Sequence, residues 1–289
     1  MPSTDSDAYL PFALLLGAVL SLWVRRDLAL WVLALAVVVA HYTGALDFAA
    51  PLWIALLGVI AYLYASRTGM QKVALGLVFL LYAVALGLLL IPGFPRTVLV
   101  EHLVLSPGAM PYDLSVGFAK VVTGIFILAF MHPERVRSWR ELGQVLVRVA
   151  PVYFIAIAVV MVLTLALGYV RFDPKWTPLF LAWALSNLFF TCLSEEAFFR
   201  GFLLRELAQM GSNRKLASVG ALIVSSLLFG LVHLGGGWKY ALAAMVAGVA
   251  YGIAYQRTQR LEGSMAVHFG LNATHFLLFT YPAIAPVAG

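Results

Sequence analysis

The stretch FFTCLSEEAFFRGFLL, residues 189–204, decides how this chain is read. It holds two adjacent carboxylates, Glu195 and Glu196, and one guanidinium, Arg200. Every other side chain in it is apolar or uncharged. The apolar run extends on both sides, over residues 178–209, and a helix needs about 20 mostly apolar residues to cross a bilayer. Three charges left bare to lipid there would cost roughly 7–10 kcal/mol on insertion scales. They must therefore face protein or water, and a charge kept at that cost is a functional candidate.

The rest of the chain repeats the apolar pattern with few charges, and in the first half with almost no polar residue at mid-span. Of its 289 residues, 63% are hydrophobic and 11% charged, against about 25% charged in soluble domains. No folded soluble surface could hide so much apolar side chain. Soluble, disordered and nucleic-acid-binding classes are thereby excluded, and the net charge of +6 reflects basic residues between apolar runs, where membrane proteins keep them. The candidate spans are 8–24, 28–46, 48–65, 71–91, 114–131, 146–170, 178–209, 216–235, 239–256 and 263–281. The expected fold is all-α, a polytopic integral membrane bundle of about ten transmembrane helices.

Two connections are longer. Residues 92–113 contain the helix breakers Pro92, Gly93, Pro95, Pro107 and Gly108. Residues 132–144 carry Arg135, Arg137 and Arg140 and read as a basic surface segment. A boundary there separates N-terminal membrane helices of unknown role, 1–140, from a polar-bearing domain, 141–289. Basic residues gather on alternate connections, and the positive-inside rule then puts both termini outside. Met1–Ala8 is polar with Asp5 and Asp7, so no cleavable signal is expected. The single cysteine, Cys192, allows no internal disulfide.

The six aspartates fall in the N-terminal tail or at span ends, and Glu101, Glu134, Glu141 and Glu262 fall in connections. Only Glu195 and Glu196 sit deep, with Arg200 four residues after Glu196, a helical ion-pair spacing. His41, His102 and His132 lie at span ends or loops. His233 closes the eighth span in FGLVH, and His268 opens the tenth, with Asn272 and His275 on the same stripe. If helices seven and eight turn near Gly211–Arg214, about 1.5 Å of rise per residue puts Glu195 and His233 roughly 24 and 29 Å from the turn. One polar cavity could then hold Glu195, His233, His268 and Asn272.

Glu195-Glu196-x-x-x-Arg200, Phe229-x-x-x-His233 and His268-x-x-x-Asn272 resemble, in order, the three motifs of the CAAX protease and bacteriocin-processing family of intramembrane proteases, which includes the type II CAAX prenyl endopeptidases. The motifs cover about residues 190–275, and the resemblance leaves residues 1–140 aside. Other protease chemistries lack their residues: there is no H-E-x-x-H, no pair of intramembrane aspartates and no Gly-x-Ser-Gly.

Desolvation makes a carboxyl a better base, so Glu195 reads as the general base that deprotonates the attacking water, and the resemblance implies the same role. His233 would hold that water with it. His268 and Asn272 would donate to the tetrahedral oxyanion, although asparagine in a membrane helix also serves as interhelical glue. Glu196 reads as the partner of Arg200, orienting the helix. Thr191 and His275 read as cavity lining, and Phe229 as packing. No cofactor is expected. Zinc on Glu195, His233 and His268, with an open fourth position, is the alternative; the resemblance favours metal-independent catalysis.

The expected activity is intramembrane hydrolysis of a peptide bond in a membrane-anchored or C-terminal-signal-bearing protein, in a bacterial-type inner or cell membrane. Other readings are a catalytically inert membrane scaffold or immunity protein, and a proton-coupled transporter. The intact polar set argues against the first. The second would show broken helices at matching positions of two repeats, and none is evident.

Overall fold

The computed structural model describes residues 5–132 and 134–286. Met1–Thr4, which enter the expectation about a signal, and Gly289 lie outside the described residues. The helices are α1 (Asp5–Ser21), α2 (Arg26–Tyr42), α3 (Ala50–Ser66), α4 (Gly69–Gly87), α5 (Phe118–Phe126), α6 (Trp139–Ala166), α7 (Phe180–Ser186), α8 (Leu193–Glu196), α9 (Arg205–Met210), α10 (Arg214–Leu231), α11 (Trp238–Thr258) and α12 (Leu261–Leu278). π-helical turns extend α5 over Ile127–Met131 and join α7, α8 and α9 through Asn187–Cys192 and Ala197–Leu204. Each expected apolar span overlaps a helix or a continuous helical run, but the one expected over 114–131 opens on strand residues, Leu114–Val116, and turns helical only at Phe118. Helices α4, α6 and α10 are long and apolar enough to cross a membrane by length and composition.

Two connections differ from the sequence reading. Within residues 92–113, the helix breakers flank strand β1 (Thr97–Leu103), which pairs with β2 (Tyr112–Val116) as a two-stranded hairpin. Short apolar runs are ambiguous by periodicity, and β-branched Thr97, Val98 and Val100 favour the strand. The segment expected to be a basic surface connection, 132–144, already contains the start of α6. Ser138 caps it by accepting from Glu141 N at 3.1 Å, while Glu141 accepts from Arg137 N at 2.9 Å. The capping satisfies backbone donors that the helix itself leaves open, so α6 starts before its apolar stretch does.

The chain forms two compact units. The first comprises Met1–Val98, Ser115–Pro133 and Phe189–Phe198. In it α1 packs on α2, α3 on α4, and α5 on both α3 and α8. Trp31, Leu52 and Leu81 point outward and are 69–76% exposed. The second unit comprises Leu99–Leu114, Glu134–Leu188 and Phe199–Gly289. There α6 packs against α11 and α12, and α10 against α9 and α11. Val147, Phe154 and Leu181 are exposed on its helices. Helical faces this apolar suit acyl chains, in which every backbone polar group is already paired within the helix.

Both ends of α12 are tied down, which fixes the stripe bearing His268 and Asn272. At its start, Glu262 is buried and accepts from Val136 N at 2.9 Å, and Arg260 Nε donates to Glu141 at 3.0 Å. At its end, Asp173 N donates to Leu278 O at 2.8 Å and Thr280 N to Arg171 O at 2.9 Å. Trp183 stacks on Phe276 with centroids 4.3 Å apart and donates to the Tyr281 hydroxyl at 3.0 Å. A hydrogen bond with Ser106 and the nearby charge of Lys175 hold the Asp173 carboxyl below the usual carboxylate range in this loop.

Candidate active site

In the first unit the paired glutamates lie on α8, a four-residue α-helical segment between two π-helical stretches. π-helical geometry inside an α-helix occurs often at functional sites. Glu195 is 8% exposed and Glu196 is fully buried. Helix α5 reaches α8 closely because it presents a glycine there. A Cβ on Gly124 would lie 3.1 Å from both Leu193 Cδ2 and Ser194 Cα. One turn earlier on α5, Lys120 Nζ donates to Glu195 Oε1 at 3.3 Å. Lys120 is half-exposed, while Glu195 is nearly enclosed. The base candidate thus has a cation brought to it from 75 residues earlier in the chain.

In the second unit Phe229 is the hub. Its ring meets His233 at a centroid distance of 4.6 Å and His268, edge to face, at 5.8 Å. His268 stacks on Tyr251 at 4.3 Å and 15°. Arg200, fully buried, donates through Nη2 to Gly248 O at 2.8 Å. Its guanidinium lies 4.8 Å from the Phe229 ring centre and 5.3 Å from that of Tyr251. Cation–π attraction strengthens when the cation is desolvated, so Arg200 clamps the two rings against which the histidines rest. Gly248 permits this: a Cβ there would lie 3.4 Å from Arg200 Nη2 and from Phe229 Cδ1.

His233 Nδ1 donates to Phe229 O at 2.6 Å, since a carbonyl can only accept. In the neutral imidazole that bond keeps the proton on Nδ1 and leaves the lone pair on Nε2. His233 and Asn272 are partly exposed, His268 is buried. Asn272 Nδ2 donates to Asn187 Oδ1 at 3.2 Å. That contact places Asn187, in the π-helical stretch after α7, next to the oxyanion candidate and orients the Asn272 amide. His275, on the same stripe, bonds through Nε2 to Thr280 O at 3.1 Å and packs on Tyr281 at 5.1 Å. It serves the end of α12.

The second unit therefore brings together Arg200, Phe229, His233 and His268, and pairs Asn272 with Asn187. Glu195 and Glu196 lie in the first unit, with Lys120. Sequence reading missed three residues. Lys120 lies near one end of an apolar span and has no motif around it. Asn187 is an uncharged residue in an apolar run. Glu262, read as part of a connection, is a buried helix-start acceptor. Only Lys120 carried a signal, as the one charge inside its span. Within neither unit do three His, Cys, Asp or Glu side chains of the described residues converge as a metal-binding group.

Residues 176–274 match the profile of the family described as type II CAAX prenyl endopeptidase Rce1-like. Over this segment the chain is similar to the CAAX protease family. No curated protein and no solved structure shows a significant match to the chain. The CAAX protease segment contains Glu195, Glu196, Arg200, His233, His268 and Asn272. Its family is one of membrane proteases. Helices α1–α6, and with them Lys120, lie outside it.

Proposed function

We propose that this protein is a multi-pass intramembrane endopeptidase of about ten transmembrane helices, with residues 141–289 as its protease domain. It would cleave a membrane-anchored or C-terminal-signal-bearing protein in a bacterial-type cell membrane. The observation that carries this reading is a nearly buried carboxylate, Glu195, on an apolar helix inside the CAAX protease segment.

In the proposed reaction Glu195 takes a proton from water as the oxygen attacks the scissile carbonyl. His233 Nε2, left with its lone pair by the Nδ1 bond to Phe229 O, accepts a hydrogen from the same water. Asn272 and His268 donate to the oxyanion as charge develops on it. Glu195 then returns the proton to the leaving amine as the C–N bond breaks. Arg200 and Glu196 hold the surrounding helices without touching the reacting atoms.

Purified protein in detergent or liposomes should cleave a labelled farnesylated peptide with a C-terminal CAAX sequence. Intact peptide, together with binding of it, would favour an inert scaffold, and proton-coupled uptake into vesicles a transporter. Reporter fusions after Asp47 and at Gly289 should mark the outside, and fusions near Arg137 and Arg260 the inside. A C-terminal reporter active only in the cytoplasm would mean a different number of spans.

The alternative is zinc held by Glu195, His233 and His268, which would lower the pKa of its bound water to about 7. Well-dialysed protein is expected to contain less than one zinc per chain and to keep its activity in slow-exchange chelators. One tightly bound zinc per chain, with activity lost on its removal and regained on its return, would make this a metalloprotease.

A further inference from the structure

The N-terminal helices lie outside the CAAX protease segment, yet α5 makes a polar contact with Glu195. Three features of the first unit support a defined role for it. Gly124 lets α5 approach Leu193 and Ser194 so closely that a Cβ would crowd both. Lys120 stands one turn away on the same helix, with Nζ 3.3 Å from Glu195 Oε1. The carboxylate is almost fully enclosed, while the lysine stem reaches it from a half-exposed position. A buried carboxylate is costly unless paired, and an ammonium is a compact point charge with three donors. A single cation at Oε1 both balances the charge and restricts rotation of the carboxylate about its last bond.

We propose that Lys120 is a positioning residue for Glu195, and that residues 1–140 act in catalysis by delivering it on α5. The inference rests on the reading of Glu195 as the base. It makes the CAAX protease segment insufficient alone: the base would be held in place by a residue from a region the family match does not reach.

The test uses the full-length protein and the labelled farnesylated CAAX peptide. Misplacing a catalytic group by about 1 Å can cost about 10²-fold, so Lys120→Met should lower kcat by roughly 10–100-fold while KM changes less than about twofold. Lys120→Arg should recover most of the loss. In a Glu195→Gln background Lys120→Met should have no further effect. Should the Met variant not accumulate in the membrane, Lys120→Cys makes the comparison within one protein. The native Cys192 is fully buried, so 2-bromoethylamine should selectively alkylate the thiol introduced by Lys120→Cys. The amine it adds should restore turnover, whereas neutral iodoacetamide should not. Full kcat in Lys120→Met or in unmodified Lys120→Cys, with Glu195→Gln inactive, would overturn the role of Lys120 and leave that of Glu195 standing. An active Glu195→Gln protein, or a wild-type protein that leaves the peptide intact, would overturn both.

Discussion

Glu195→Gln is expected to lower turnover by about 10²–10⁴-fold, the range for losing a general base, while the protein still inserts and folds. Gln keeps the volume of Glu and can still accept the hydrogen bond from Lys120 Nζ now made at 3.3 Å. What it lacks is an oxygen basic enough to take a proton from water. Glu196→Gln should cost less activity, because Glu196 is read as holding a helix. The measurement is peptide cleavage by the two purified variants, compared with wild type at equal membrane yield. Full activity in both would end the glutamate-protease reading. Full loss in the Glu196 variant, with the Glu195 variant active, would exchange their roles.

Asn272→Ala should lose about 10²–10³-fold in kcat, the typical effect of removing one oxyanion donor. Asn272→Asp, which keeps the shape and removes the amide donor, should be no better. The contact with Asn187 supplies a graded control. Asn187→Ala removes one neutral hydrogen bond to the Asn272 amide, worth about 1 kcal/mol, so the expected loss is roughly fivefold. If Asn272 were only interhelical glue, Asn187→Ala and Asn272→Ala would lower the stability of the membrane protein in parallel and leave kcat per folded molecule unchanged. Turnover normalised to the folded fraction after thermal challenge separates the two.

Much of this architecture was legible in the chain because hydrophobicity is a local property. Each apolar run overlaps a helix, although the fifth begins in β2, and the turn between Met210 and Arg214 fell where the hairpin of α9 and α10 was expected. The polar candidates were legible for the same reason: Glu195, Glu196 and Arg200 stand out against apolar neighbours, and their spacing with Phe229, His233, His268 and Asn272 carried the family resemblance. The hairpin at β1 and β2 was not legible, since seven residues are too few for periodicity to tell a strand from loop or helix. Nor was the early start of α6, where capping by Ser138 and Glu141 extends the helix into a charged segment.

The sequence alone thus determined an apolar, helical chain whose buried-charge candidates Glu195, Glu196 and Arg200 fall in a segment similar to the CAAX protease family. Only the tertiary structure decided which side chains those groups meet. Lys120 and Glu195 are 75 residues apart, Asn187 and Asn272 are 85 apart, and Arg200 finds Gly248 across 48. Arg200 was expected as a partner for Glu196; what folding shows is its guanidinium against Phe229 and Tyr251, a clamp for the rings beneath the histidines. Pairings of this kind depend on how closely two helices approach, which here turns on Gly124 and Gly248. No local pattern encodes that distance, because the absence of a side chain matters only once another helix is packed against it.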